Sequence, residues 1–140
     1  MTNIGTIIYA QSDTTNGEDK LQLQVNAIKE WCNRSRSRDR KKADILEVFT
    51  DLCDDDHENR PGLRKALERL RDEDVHLLVV WSINRLGKSL KQIAPIINEL
   101  AEIDKHFYTL TTLEPVNDAT VQSFKSSHYE YMEGFFDSNL

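Results

Sequence analysis

The stretch HLLVVWSINRLGKSL, residues 76–90, decides the fold. Its first six residues are unbroken apolar or aromatic chain after His76, with two valines in succession, and that composition predicts a strand rather than a helix. A strand apolar on both faces needs cover on both faces, so HLLVVW (76–81) reads as the centre of a parallel sheet. INRLGK, directly after it, reads as a loop. A helix follows from about Ser89 to Ile103, with Ile93, Ile97 and Leu100 facing inward and Pro95 expected to kink or weaken it.

Working outward, the same alternation repeats. IGTIIYA (4–10) is a β-branched strand that runs into the polar loop QSDTTNG. Leu21, Val25, Ile28 and Cys32 then mark an amphipathic helix over 21–32. The basic stretch 33–42 reads as a loop and ADILEVFT (43–50) as a second strand. The acidic segment 51–58 reads as another loop, because it is too polar to pack. Asn59-Arg60-Pro61-Gly62 opens a helix whose buried stripe is Leu63, Ala66, Leu67 and Leu70, with proline tolerated in its first turn. HFYTL (106–110) is a fourth strand. Strand-helix alternation of this kind predicts an α/β fold, a small mostly parallel sheet flanked by helices. Its working crevice would lie beyond the carboxyl ends of the strands, where QSDTTNG and INRLGK both open.

Composition narrows the function. The chain has 140 residues, 39% hydrophobic and 30% charged, enough for one domain with a core of its own. The expected organisation is an α/β domain over 1–113 and a helical segment over 114–140, with no DNA-binding domain. That last segment carries Val121, Phe124, Met132 and Phe135 at roughly helical spacing. It reads either as a dimerisation helix or as a helix folded back on the sheet. No run approaches the roughly 18 apolar residues of a membrane helix, and the N-terminus lacks the features of a signal peptide. Two separated cysteines, Cys32 and Cys53, fit reduced thiols in a cytoplasmic protein better than a disulfide or zinc site. His57 among Asp54, Asp55, Asp56 and Glu58 has no spacing suited to a metal, and none is expected. The net charge of −6 argues against indiscriminate affinity for nucleic acid. The positive charge is concentrated in Arg34, Arg36, Arg38, Arg40, Lys41 and Lys42, most simply a solvated loop.

Several segments, in order, resemble the catalytic domain of the serine site-specific recombinases, the resolvases and invertases. They are Ile8-Tyr9-Ala10 at the end of the first strand, Leu23-Gln24, Arg60-Pro61-Gly62-Leu63, the run from Val79 to Leu90, and His106 to Thr112. The resemblance covers about residues 4–113. It implies DNA as partner, a homodimer or homotetramer, and a serine hydroxyl that attacks a phosphodiester and becomes linked to the 5′ phosphate. It implies no metal or other cofactor, so guanidinium groups must offset charge on the phosphoryl oxygens.

On that resemblance the site is Ser12, Asp13, Arg60, Arg85 and Lys88, with Gln11 and Asn84 beside the phosphate. Aligned without a gap, the family's serine falls on Asp13; with one residue deleted it falls on Ser12. These are physically distinct choices, since neighbours near a strand end point to opposite faces. Gln11 stands where the resemblance implies an arginine, Asn84 where it implies an aspartate and Lys88 where it implies an arginine. Two function classes stay open: a DNA strand transferase, and a recombinase-like dimerisation or regulatory module that does not cleave. An unrelated flavodoxin-like binding protein is a third. Plainer roles compete at each residue: a turn brace for Ser12, a surface charge for Arg85, a loop cap for Arg60 and a core position for Trp81.

Overall fold

The structure, a computed structural model, describes residues 3–35, 40–53, 60–82, 85–87 and 90–110. Seven elements alternate along it: β1 (Ile4–Ser12), α1 (Gly17–Arg34), β2 (Ala43–Leu52), α2 (Pro61–Arg69), β3 (Leu77–Val80), α3 (Leu90–Glu102) and β4 (His106–Thr109). The strands form one sheet in the order β2-β1-β3-β4, and every pairing is parallel. Beyond Leu110 lies the segment expected to form a terminal helix, and that expectation falls outside the described residues, as does the acidic run from Asp54 to Glu58.

Period-two alternation divides the core between the two faces of the sheet. Ile7 and Tyr9 of β1, Leu78 and Val80 of β3, and Phe107 of β4 meet Leu63, Ala66 and Leu70 of α2 and its C-terminal edge, with Ile93, Ile96 and Leu100 of α3. On the other face Ile8, Leu77, Val79 and Tyr108 meet Ile28 and Cys32 of α1. Trp31 of α1 stacks on Tyr108 with ring centroids 4.6 Å apart. The continuous apolar run of β3 is thereby explained: all four of its residues are buried, and they alternate between two covered faces.

Several element boundaries differ from the sequence reading. α1 begins at Gly17, a turn before its apolar stripe, after Asn16 reverses the chain in the left-handed region (φ 53°). β2 continues through Asp51 and Leu52, which the sequence places in a loop, because Asp51 has buried partners to receive its carboxylate. β1 continues through Gln11 and Ser12, also read as loop. α3 runs on through Pro95, whose ring is exposed.

Candidate active site

β1 is longer than its inner neighbour, and the site is built on that overhang. Pairing with β3 ends at Ile8–Val79, whereas pairing with β2 continues to Ser12–Leu52. On the β3 side the Gln11 peptide therefore needs other partners. Gln24 of α1 provides them: its Nε2 donates to the Gln11 carbonyl at 2.8 Å, and its Oε1 accepts the Gln11 N–H at 3.3 Å. On the β2 side the Cys53 N–H donates to the Ser12 carbonyl at 3.0 Å. Ser12 is thus held from both sides at the carboxyl end of the sheet and is 3% exposed.

Ser12 lines a pocket of about 210 Å³ together with Lys20, Leu23 and Gln24 of α1 and Trp81 and Arg85 beyond β3. Trp81, expected in the core, is half-buried at this pocket wall. It is a correction with a simple cause, since β3 ends at Val80 and Trp81 already belongs to the crevice. The structure so brings together Ser12 and Arg85, from the two loops singled out by sequence.

Asp13 is placed differently. It follows the end of β1, is exposed, and its Oδ1 accepts the Thr15 N–H at 3.2 Å and pairs with Lys20 Nζ at 2.9 Å. The Lys20 hydrogen bond holds its carboxyl below the usual carboxylate range, with Arg85 adding in the same direction. Gln11 points to the opposite face from Ser12, and its Nε2 donates to the carbonyl and the Sγ of Cys53, both at 3.3 Å. It sits beside the serine in sequence but turns its side chain away from the pocket.

Arg60 does not line the Ser12 pocket. It is buried, and its guanidinium donates to the carbonyls of Arg85 (3.0 Å) and Leu86 (2.5 Å). The fixed fork of arginine suits two successive carbonyls, and here it ties the start of α2 to the loop that carries Arg85. Arg60 also borders a separate groove between α2 and α3, with Leu63, Gln92 and Ile96. Asn84 and Lys88 lie outside the described residues.

Sequence reasoning missed Asp51. Its carboxylate accepts the Gly62 N–H at 2.8 Å, the Leu63 N–H at 2.9 Å and the Tyr9 hydroxyl at 2.8 Å. α2 has no side-chain cap of its own at Arg60, so Asp51 caps it from the end of β2. Gly62 belongs to the same device: a Cβ there would lie 2.3 Å from the Thr50 carbonyl oxygen and 2.9 Å from Asp51 Oδ1. Burial, and then the hydrogen bond to Asp51, push the Tyr9 phenol well above its ordinary pKa. One signal was available: Arg-Pro-Gly-Leu opens a helix without Ser, Thr, Asp or Asn at its cap, so the acceptor had to come from elsewhere.

A parallel α/β domain with a serine and an arginine converging at the carboxyl ends of two interior strands is the class that fold and pocket define. Residues 6–132 match the family described as resolvase, N terminal domain. The chain belongs to that family, the catalytic domain of the serine recombinases. It is 35% identical over 108 residues to the DNA-invertase hin of Salmonella typhimurium, covering 77% of this chain and 48% of that protein. It is 40% identical over 65 residues to the serine recombinase gin of Escherichia phage Mu, covering 46% and 33%. The chain therefore spans about half the length of such relatives, or less. Among solved structures, the N-terminal catalytic domain of TP901-1 integrase superposes with a TM-score of 0.67 at 14% identity, covering 92% of this chain and 94% of that one. The C-terminal catalytic domain of ISC1926 TnpA, an IS607-like serine recombinase, gives 0.67 at 18% identity, covering 89% and 78%. These likenesses agree on the fold. No described helix is long and apolar enough to cross a membrane.

Proposed function

We propose that this domain performs the strand cleavage and rejoining of site-specific DNA recombination, with Ser12 as nucleophile. The observation that carries the reading is the meeting of Ser12 and Arg85 in one pocket at the carboxyl ends of β1 and β3. The Ser12 oxygen bonds to the scissile phosphorus, the bond from phosphorus to the 3′ oxygen breaks, and the serine proton passes to solvent or to the departing oxygen. Attack by a 3′ hydroxyl from a partner strand reverses the step and restores the serine. Arg85, with Lys88 three positions further along the sequence, offsets charge on the phosphoryl oxygens, and Asn84 contributes a hydrogen bond. Arg60 acts on the phosphate indirectly, by fixing the Arg85 loop. Asp13 is a poor alternative nucleophile, because it would form a hydrolysable acyl phosphate and its carboxylate is engaged with Lys20.

In this reading the protein works in the cytoplasm as a homodimer or homotetramer, with residues 114–140 contributing to assembly. DNA is bound weakly unless a separate DNA-binding domain holds the site. A second reading, a recombinase-like module that assembles but does not cut, draws on one observation. The Gln11 side chain is neutral and its amide is directed to Cys53, so it brings no charge to the pocket. Fusion to a DNA-binding domain, with paired sites for that domain on one plasmid, separates the two. Inverted or deleted product that Ser12→Ala abolishes is the expected result; assembly on the paired sites without any strand exchange supports the second reading.

A further inference from the structure

We propose that Lys20 is a phosphate-binding residue of the Ser12 pocket, and that Asp13 pairs with Lys20 as the chain's own anion until a phosphodiester displaces it. The proposal rests on the reading of that pocket as the phosphate site and adds to it a residue outside the resemblance. Lys20 and Arg85 are the cationic side chains among the described residues that line the pocket, and none of those lining residues is acidic. Lys20 reaches the site because Asn16, in the left-handed region, turns the chain back sharply into α1. Asn16 also accepts the Lys20 N–H at 3.1 Å, so the lysine sits one turn into the helix and faces the strand end it has just left.

Asp13 lies one residue past Ser12 and pairs with Lys20 at 2.9 Å. Both side chains keep about half their surface in water, at 53% and 45% exposure, so the pair can open without unfolding its surroundings. An exposed ion pair of this kind is weak. A phosphodiester oxygen offers Lys20 the same chemistry, with Arg85 near enough to share it. Arg85 already acts on the Asp13 carboxyl in the same sense as Lys20. Asp13 therefore plays two parts. It braces the turn through Thr15, and it lowers the affinity of the pocket for anions.

Titrating inorganic phosphate at constant ionic strength, with amide NMR shifts of Ser12 and Gln24 and the Trp81 indole as readout, tests this on the whole chain. Asp13→Asn is expected to tighten binding roughly 3- to 10-fold, from loss of a competing ion pair and of a like charge beside the phosphate. Lys20→Gln should weaken binding and abolish the gain from Asp13→Asn in the double variant. Asp19→Asn, which removes an equal charge elsewhere on the first turn of α1, should change affinity less than about 2-fold. An Asp13→Asn effect no larger than that of Asp19→Asn overturns the proposal, as does a gain that survives Lys20→Gln; the pocket remains an anion site in both cases. Phosphate that moves none of these resonances in any variant overturns the pocket reading as well.

Discussion

Replacing Asp51 by alanine should cost the domain about 3–5 kcal/mol of stability. The figure follows from what the carboxylate accepts: two backbone amides at the start of α2 and the hydroxyl of Tyr9, whose side chain is fully buried. Each donor left buried without an acceptor costs about 1–3 kcal/mol, so the three together reach about 3–9. Two effects pull the total toward the lower end. The vacated space admits a water molecule to the helix terminus, and removing a desolvated carboxylate recovers some of its solvation cost. For a domain of this size the loss is worth roughly 10–20 °C in Tm. Urea unfolding followed by circular dichroism measures it. A double-mutant cycle with Tyr9→Phe locates it. With Asp51 present, Tyr9→Phe removes a good hydrogen bond; with Asp51→Ala it removes an orphaned hydroxyl. The coupling should be about 1–3 kcal/mol. A loss below about 1 kcal/mol for Asp51→Ala, or a Tyr9→Phe cost that is the same in both backgrounds, would refute the assignment of Asp51 as the cap that seats α2.

Gly62→Ala should destabilise by about 2 kcal/mol or more, against the roughly 1 kcal/mol gain that alanine brings elsewhere in a helix. The reason is that its Cβ would meet the Thr50 carbonyl oxygen at 2.3 Å; thermal melts give the sign directly. Arg60→Lys should preserve charge yet lose one of the two carbonyl contacts in the loop, for about 1–3 kcal/mol of stability, and should reduce strand exchange without lowering phosphate affinity at Ser12 by as much as Arg85→Gln does. Burial pushes the Cys32 thiol up to about 12, with Lys42 opposing slightly. A raised folded-state pKa favours the protonated thiol, so its contribution is fully present below the ordinary value and is lost as pH rises from about 9 towards 12. Urea midpoints at about pH 8 and about pH 10.5 should therefore fall further for the wild type than for Cys32→Ala.

Much of this architecture was legible in the sequence because it depends on period and composition. The unbroken run Leu77–Val80 gave a doubly covered interior strand, and Ile28 with Cys32, or Ile93 with Leu100, gave the helix faces. The places where strands end were harder to read. Gln11, Ser12, Asp51 and Leu52 are polar or follow polar residues, and composition assigns them to loops. They remain in strands through tertiary partners that no local pattern announces: Gln24 completes the ladder beside Gln11, and α2 brings its amides to Asp51. The candidate site was legible to the same extent. Ser12 and Arg85 meet as the two crevice loops suggested, whereas Arg60 turned out to hold the Arg85 loop, because its fork finds two backbone carbonyls close by. Lys20 gave no signal at all, since one lysine on a polar helix face looks like any other until the turn at Asn16 aims it.

The alignment of Ser12 or Asp13 with the nucleophile is the point on which the functional account turns. The protein fused to a DNA-binding domain can be trapped on paired sites with a nicked strand that prevents rejoining, then digested and mapped by mass spectrometry. The account predicts a peptide carrying the 5′ nucleotide on Ser12, stable to hydroxylamine and lost in Ser12→Ala but retained in Asp13→Asn. A hydroxylamine-labile adduct on Asp13, or no adduct on paired sites where the fusion is seen to assemble, would contradict it.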